Sequence, residues 1–124
     1  MYKFYDFIVD NIAYKFTDSS NTSVETARKE YYYDQESIVI PSSVSYGGLH
    51  QVVAIGDFTF HNSVNVKSVT IPSSVRRIGC HALSYLPELE TISLPSSCET
   101  VGEGAFFGCE KLNSVNLGYV TYIG

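Results

Sequence analysis

Leu89-x-x-Ile92-x-Leu94-Pro95-Ser96-Ser97-Cys98-x-x-Val101-Gly102-x-x-Ala105-Phe106-x-x-Cys109 restates, 23 residues on, the stretch Val66-x-x-Val69-x-Ile71-Pro72-Ser73-Ser74-Val75-x-x-Ile78-Gly79-x-x-Ala82-Leu83. Eight apolar columns coincide. A fixed period of this length means a stack of short coils, in which each unit buries its apolar face only against its neighbours and function lies on a surface rather than in a pocket. A further unit begins at Leu112-x-x-Val115-x-Leu117-Gly118 and reaches Ile123-Gly124, before its Ala-Phe element. Upstream, Ile38-x-Ile40-Pro41-Ser42-Ser43-Val44 opens another, separated by eight additional residues from Ile55-Gly56, after which Thr59-Phe60 takes the Ala-Phe place. The additional residues contain Gly47-Gly48, which suits a tight two-residue hairpin.

The period converts into geometry. Val69/Ile71, Ile92/Leu94 and Val115/Leu117 are each two residues apart, so both members of a pair share one face of a strand and point into the core. Successive coils are expected to stack these strands about 4.8 Å apart in a parallel ladder. Pro72 and Pro95, lacking an N–H, end each strand. Val75-x-x-Ile78-Gly79 and its copy form a short extended piece on the opposite side, with Gly letting the backbone bend. Phe60, Leu83 and Phe106 are expected to form one buried column.

The pattern resembles the BspA-like leucine-rich repeats, whose units run Leu-x-x-Ile-x-Leu-Pro-x-Ser-Val-x-x-Ile-Gly-x-x-Ala-Phe-x-x-Cys, over roughly residues 36 to 124. Departures are Thr59 for Ala, Leu83 for Phe, Cys98 for Val, and Ser63 and Leu86 where Cys109 sits. The resemblance implies a β-rich leucine-rich repeat solenoid, a parallel β ladder with short turns or 3-10 segments. It also implies display on, or release from, a microbial cell and adhesion to host or other cells.

Residues 1–36 lack the repeat and read as an N-terminal antiparallel β cap, with residues 37–124 as the repeats of one continuous domain. Lys3 to Val9, a turn at Asp10-Asn11 and alternating Ile12-x-Tyr14-x-Phe16 describe a hairpin. Asp18-Ser19-Ser20-Asn21 is a second turn, and Thr22 to Arg28 a more polar third strand. Such a meander covers the strand edge and core that a solenoid otherwise leaves open at its first coil. The other end breaks off halfway round a coil, so the expectation there is a longer array or end-to-end self-association. No stretch has the length of a membrane helix, and the first twenty residues are too polar for a signal peptide, so no membrane insertion is expected.

Composition argues against most chemistry. The net charge is −5, with seven acids and four bases in residues 1–36 and six acids and four bases in the rest, so no basic stripe invites nucleic acid. Three cysteines form no closed set: Cys98 faces Val75 in the preceding coil, and Cys80 lies roughly 16 Å further round, beyond the ~7 Å a disulfide allows. Cys109 is expected to be buried and hydrogen-bonded to a loop carbonyl, and Cys80 to be exposed. Cys80-His81 with His61 lacks ligand spacing for a metal. Asp57, His61 and the many serines suggest a triad only superficially, because Ser42-Ser43, Ser73-Ser74 and Ser96-Ser97 recur as turn residues. No catalytic residue, metal or cofactor is expected.

One surface remains. Between the buried columns the strands turn outward Ser68 and Thr70, Thr91 and Ser93, and Ser114 and Asn116, flanked by Lys67, Glu90 and Asn113. This face is polar, small and nearly uncharged, a rigid platform for a protein or glycan ligand. The alternatives are a solvated strand face with no ligand and a spacer role within a longer protein.

Overall fold

The computed structural model describes residues 4–116 and 122–123. The chain begins with a meander, β1 (Phe7–Val9), β2 (Ile12–Phe16) and β3 (Ser23–Ala27). Asp10 and Asn11 both take positive φ, 49° and 70°, which gives the two-residue connection whose twist suits a hairpin and sets Val9 opposite Ile12. β1 is shorter than the stretch expected from Lys3 onward, and Lys3 itself lies outside the described residues. The Asp18 carboxylate accepts from the Asn21 N–H (3.1 Å) and the Ser20 hydroxyl (2.7 Å), closing the second turn.

The coils follow, with β4 (Ser37–Val39), β5 (Ser43–Ser45), β6 (Leu49–Ile55), β7 (Ser68–Thr70), β8 (Arg77–Ile78), β9 (Thr91–Ser93), β10 (Thr100–Val101), β11 (Ser114–Asn116) and β12 (Tyr122–Ile123). The inserted residues do form a hairpin, β5 against β6. Its register sets Ser45 opposite Leu49, so the connection is three residues, 46–48, rather than two. Gly47 and Gly48 supply the positive φ values, 65° and 147°.

Each coil has three sides. On the first, β4 pairs with β7 and β9 with β11, in parallel, with Ile38 beside Val69 and Ile92 beside Val115. β7 and β9 lie next to each other without ladder pairing, so the expected unbroken ladder is interrupted here. The coils at this point are joined through their other two sides. On the second side β6, β8, β10 and β12 run on in parallel, with Ile55, Ile78, Val101 and Ile123 in one row. β3 adds to β6 in parallel, with a bulge after Val24, so the meander and the coils share one eight-stranded sheet.

The third side is built of turns. Phe58, Phe60 and Asn62 donate N–H bonds to Cys80, Ala82 and Ser84, and His81, Leu83 and Tyr85 repeat the pattern to Glu103, Ala105 and Phe107. Two positions per coil are left-handed: Phe58, His81 and Gly104 in one column, and Asn62, Tyr85 and Gly108 in the other. These interruptions keep the segment as linked turns rather than 3-10 helix, which needs successive right-handed residues.

Gly79 has an ordinary negative φ, so bending is not its purpose. A Cβ there would stand 2.6 Å from the Asp57 nitrogen and 2.8 Å from the Gly56 carbonyl carbon, and close approach of the preceding coil's backbone excludes a side chain.

Inside, Ile38, Ile40, Val69, Ile71, Ile92 and Leu94 from the first side meet Val75, Cys98, Ile78 and Val101 from the second, all buried. Phe60 and Leu83 plug the core at zero exposure, as expected, whereas Phe106 is half-buried rather than buried and packs against the core's margin. Leu117 and the burial of Ile123 lie outside what is described.

The departures in the first coil serve its junction with the meander. Thr59 donates to the Gly56 carbonyl (2.8 Å) and meets the Thr26 hydroxyl at 3.2 Å. Ser63 accepts from the Tyr33 N–H at 3.2 Å. The Tyr33 phenol donates to Ala27 O (2.8 Å), accepts from Ala13 N (2.9 Å), and its ring meets Phe60 edge-on at 4.8 Å. Burial and backbone bonding make this a fixed peg between meander and coils.

Candidate interaction surface

The alternation of β7 and β9, exposed-buried-exposed, follows from two-residue periodicity, and it places Ser68, Thr70, Thr91 and Ser93 outward. Ser114 and Asn113 are exposed on the next coil, while the side chain of Asn116 lies outside the described residues. Pairing registers set Ser37 beside Ser68 and Val39 beside Thr70 on one side of the gap, and Thr91 beside Ser114 and Ser93 beside Asn116 on the other.

Several members are already engaged with each other. The Ser37 and Ser68 hydroxyls are 2.9 Å apart, and Lys67 forms a 3.3 Å ion pair with Glu36. Both charges are well exposed, so this pair adds little stability and is easily exchanged for a ligand contact. Glu90 is exposed and its carbonyl accepts from Asn113 N (3.0 Å). The face is thus made of two paired halves, with the gap between β7 and β9 running down its middle.

A second surface went unread in the sequence. The turn side carries exposed or half-buried rings in a line: Phe58 stacks on His81 (centroids 5.2 Å, planes 11° apart), His61 meets Tyr85 edge-on at 5.5 Å, and Tyr85 meets Phe107 edge-on at 5.5 Å. Left-handed backbone projects Phe58, His81 and Tyr85. The ring of His81 lies over Gly104 and that of Tyr85 over Gly108, where an added Cβ would come within 2.5 Å and 2.6 Å of ring atoms. A usable signal existed: two columns held by glycine in one coil and by an aromatic ring in another mark left-handed positions.

Where the ridge meets the meander, Arg28 lays its guanidinium over Phe4 (4.3 Å to the centroid) and 5.9 Å from the centre of Phe58. It lines two clefts, one together with Tyr31, Tyr32 and His61, the other together with Lys15, Glu25 and Asp57. Burial, with the nearby positive charge of Arg28 and with His81, holds the His61 imidazole below its usual range.

The residues that invited catalytic or metal readings are occupied otherwise. Asp57 accepts from the Cys80 N–H at 2.8 Å. His61 Nδ1 sits 2.6 Å from the Ser84 hydroxyl, but Ser84 is fully buried and also donates to His81 O (3.0 Å), which leaves it no access to a substrate. Among the described residues no group of three or more His, Cys, Asp or Glu is placed to hold a metal ion. Cys80 is exposed and Cys98 buried; Cys109 is half-buried rather than buried, and its thiol donates to the Leu83 carbonyl at 3.0 Å, the expected hydrogen bond to a loop carbonyl.

The model of the BspA type leucine-rich repeat region matches residues 27–124, in six copies. The chain belongs to this family. It is similar to a leucine-rich repeat protein of Bacteroides ovatus ATCC 8483, with 34% identity, a TM-score of 0.87, and coverage of 97% of this chain and 32% of that one. A leucine-rich repeat protein of T. pallidum matches at 25% identity and TM-score 0.78, over 91% of this chain and 50% of the other. A leucine rich cell surface protein of Faecalibacterium prausnitzii A2-165 shares the fold at 20% identity and TM-score 0.51, over 94% and 44%. This BspA-type chain therefore spans about a third to a half of the length of these relatives. No protein with a curated description matches it. Among the described residues no helix is long and apolar enough to cross a membrane.

Proposed function

We propose that the chain is a non-enzymatic binding segment of a repeat protein displayed on, or released from, a microbial cell, and that it engages a protein or glycan across the polar strand face. The observation that carries this reading is the exposed-buried-exposed alternation that turns Ser68, Thr70, Thr91 and Ser93 outward, with Ser114 in register beside Thr91. Side chains this short lose little rotamer freedom on contact, and a rigid backbone presents them at constant spacing, so many weak polar contacts add without an ordering cost. The surface location is supported by the resemblance to the F. prausnitzii cell surface protein.

The test is capture of extracellular-matrix proteins and glycans by the immobilised chain, with Thr91→Glu/Ser93→Glu as the comparison. Both positions are exposed, so the double variant should unfold at the same urea concentration as the parent while losing capture by tenfold or more. Undiminished capture by the double variant removes the strand face as the binding surface. Absence of any ligand supports the spacer role, in which the segment only sets the distance between other parts of a longer protein.

A further inference from the structure

Arg28 presents a chemistry that the strand face lacks. Its guanidinium is half-buried at the junction of the meander with the first coil, stacked on Phe4 and beside Phe58. Among the described residues it has neither an ion pair nor a hydrogen bond from its N–H groups. The contrast with Arg77 is informative, since that side chain reaches Glu25 at 2.8 Å. The neighbouring acids are likewise committed: Glu25 to Arg77, Asp57 to the Cys80 N–H, and Glu30 to the Tyr5 hydroxyl at 2.7 Å. Stacking fixes the plane of the guanidinium without using its donors, and a planar fork of N–H groups held in this way matches a carboxylate in bidentate geometry.

The surroundings specify what carries that carboxylate. Clefts of about 80 and 240 Å3 share Arg28 and Phe58 in their linings, and the two together make a trough at the cation. Tyr31 and Tyr32 stand beside it, 84% and 60% exposed, offering flat ring faces with a hydroxyl at the tip. Flat aromatic faces suit the C–H-bearing side of a pyranose ring, and phenols suit its hydroxyls. A peptide strand would need unpaired backbone groups to pair with, but Phe58 and Phe60 already donate to the next coil and Thr59 to Gly56.

We propose that this trough binds an acidic glycan, with Arg28 taking the carboxylate of a uronate or sialate residue and the rings of Tyr31, Tyr32 and Phe58 carrying the sugar. The site is on a different side of the coil from the strand face and stands or falls separately from it.

Binding is measured by calorimetry with tetragalacturonate and with 3′-sialyllactose, against the fully methyl-esterified tetramer, lactose and hexaglutamate. At least one carboxylated sugar is expected to bind, more weakly as salt rises, with no binding of its neutral counterpart. Arg28→Gln should reduce affinity at least tenfold, Arg28→Lys should restore only part because an ammonium lacks the fork, and Tyr32→Ala should cost several-fold. Thr91→Glu/Ser93→Glu should change nothing, which separates this site from the strand face. The preference between the two probes identifies the sugar. The proposal is overturned if neither carboxylated sugar binds, if Arg28→Gln binds as the parent does with its urea midpoint unchanged, or if hexaglutamate binds equally well.

Discussion

Replacement of Gly79 by Ala tests whether the coils are held at backbone contact distance. The new methyl would lie 2.6 Å from Asp57 N and 2.8 Å from Gly56 C, both backbone atoms that cannot swing aside. Non-bonded contact needs about 3.5 Å, so the two coils must part by roughly 0.7 to 0.9 Å at this point. Three bonds cross there: Gly79 N to Ile55 O at 2.7 Å, Phe58 N to Cys80 O at 3.0 Å, and Cys80 N to the Asp57 carboxylate at 2.8 Å. Parting by that amount takes them to or past the limit of useful hydrogen bonding. Weakening them costs about 0.5–1.5 kcal/mol each, and the residual strain about 1–3 kcal/mol. Reduced freedom of the unfolded chain returns about 0.4–1 kcal/mol. A net loss of about 1.5–7 kcal/mol follows, read as a lower midpoint in urea by far-UV circular dichroism and tyrosine fluorescence, which is free of tryptophan signal in this chain. Gly47→Ala is the matched control: nothing lies within 4 Å of the added carbon, but φ is +65°, so only about 1 kcal/mol is at stake. If Gly79→Ala unfolds within 0.5 kcal/mol of the parent, or costs less than Gly47→Ala, the close-approach account is wrong.

Thr59→Val keeps the volume but removes the hydroxyl shared with Gly56 and Thr26, and should cost about 1–2 kcal/mol in urea unfolding; an unchanged midpoint would show that these buried bonds contribute nothing net. With a thiol reagent at pH 8, one cysteine of the native chain should react rapidly and be mapped to Cys80, and all three in urea, because burial raises the thiol pKa of both Cys98 and Cys109 and leaves them little thiolate. Burial, with a smaller effect of Asp10, raises the Tyr14 phenol to about 12, and burial raises Tyr33 further. Because the folded value is the higher one, the associated stability is complete below about pH 10 and is lost as pH rises through about 12. Phenolate absorbance should accordingly show two tyrosines that ionise only with alkaline unfolding, and normal titration of all ten would contradict their burial.

The repeat was legible because its columns translate directly into sides of a coil. Ile92 beside Val115, Ile55 beside Ile78, and Phe60 and Leu83 both fully buried all follow from a 23-residue step and two-residue alternation. The meander was legible through Asp10-Asn11, since residues that tolerate positive φ between alternating strands point to a hairpin. Other features leave no such mark. The hairpin length at 46–48 depends on which residues pair, and two adjacent glycines fit more than one register. The reason for Gly79 resides in the distance to another coil, which a bend and a close approach disguise equally in sequence. The stack of Tyr46 on Phe7, 4.2 Å apart, joins the hairpin tip to β1 across almost forty positions that share no pattern.

The sites where the repeat is broken carry more information than their irregularity suggests. Leu83 and Cys98, which replace Phe and Val of the pattern inside the stack, stay fully buried and change only how the core is filled. Thr59 and Ser63, in the first coil, each exchange a small apolar or thiol group for a hydroxyl; one meets the meander at Thr26 and the other meets Tyr33, in the segment that follows it. A repeating sequence can satisfy only contacts that repeat; a coil that abuts something else has to depart from the pattern at the positions that touch it. By the same argument, the surfaces that set this chain apart from other stacks of the same coil lie at this junction. Here Arg28, one residue beyond the end of β3, and Phe58, in a column filled by Gly104 two coils later, come together. The strand face repeats from coil to coil, whereas among the described residues the Arg28 trough lies only at this junction.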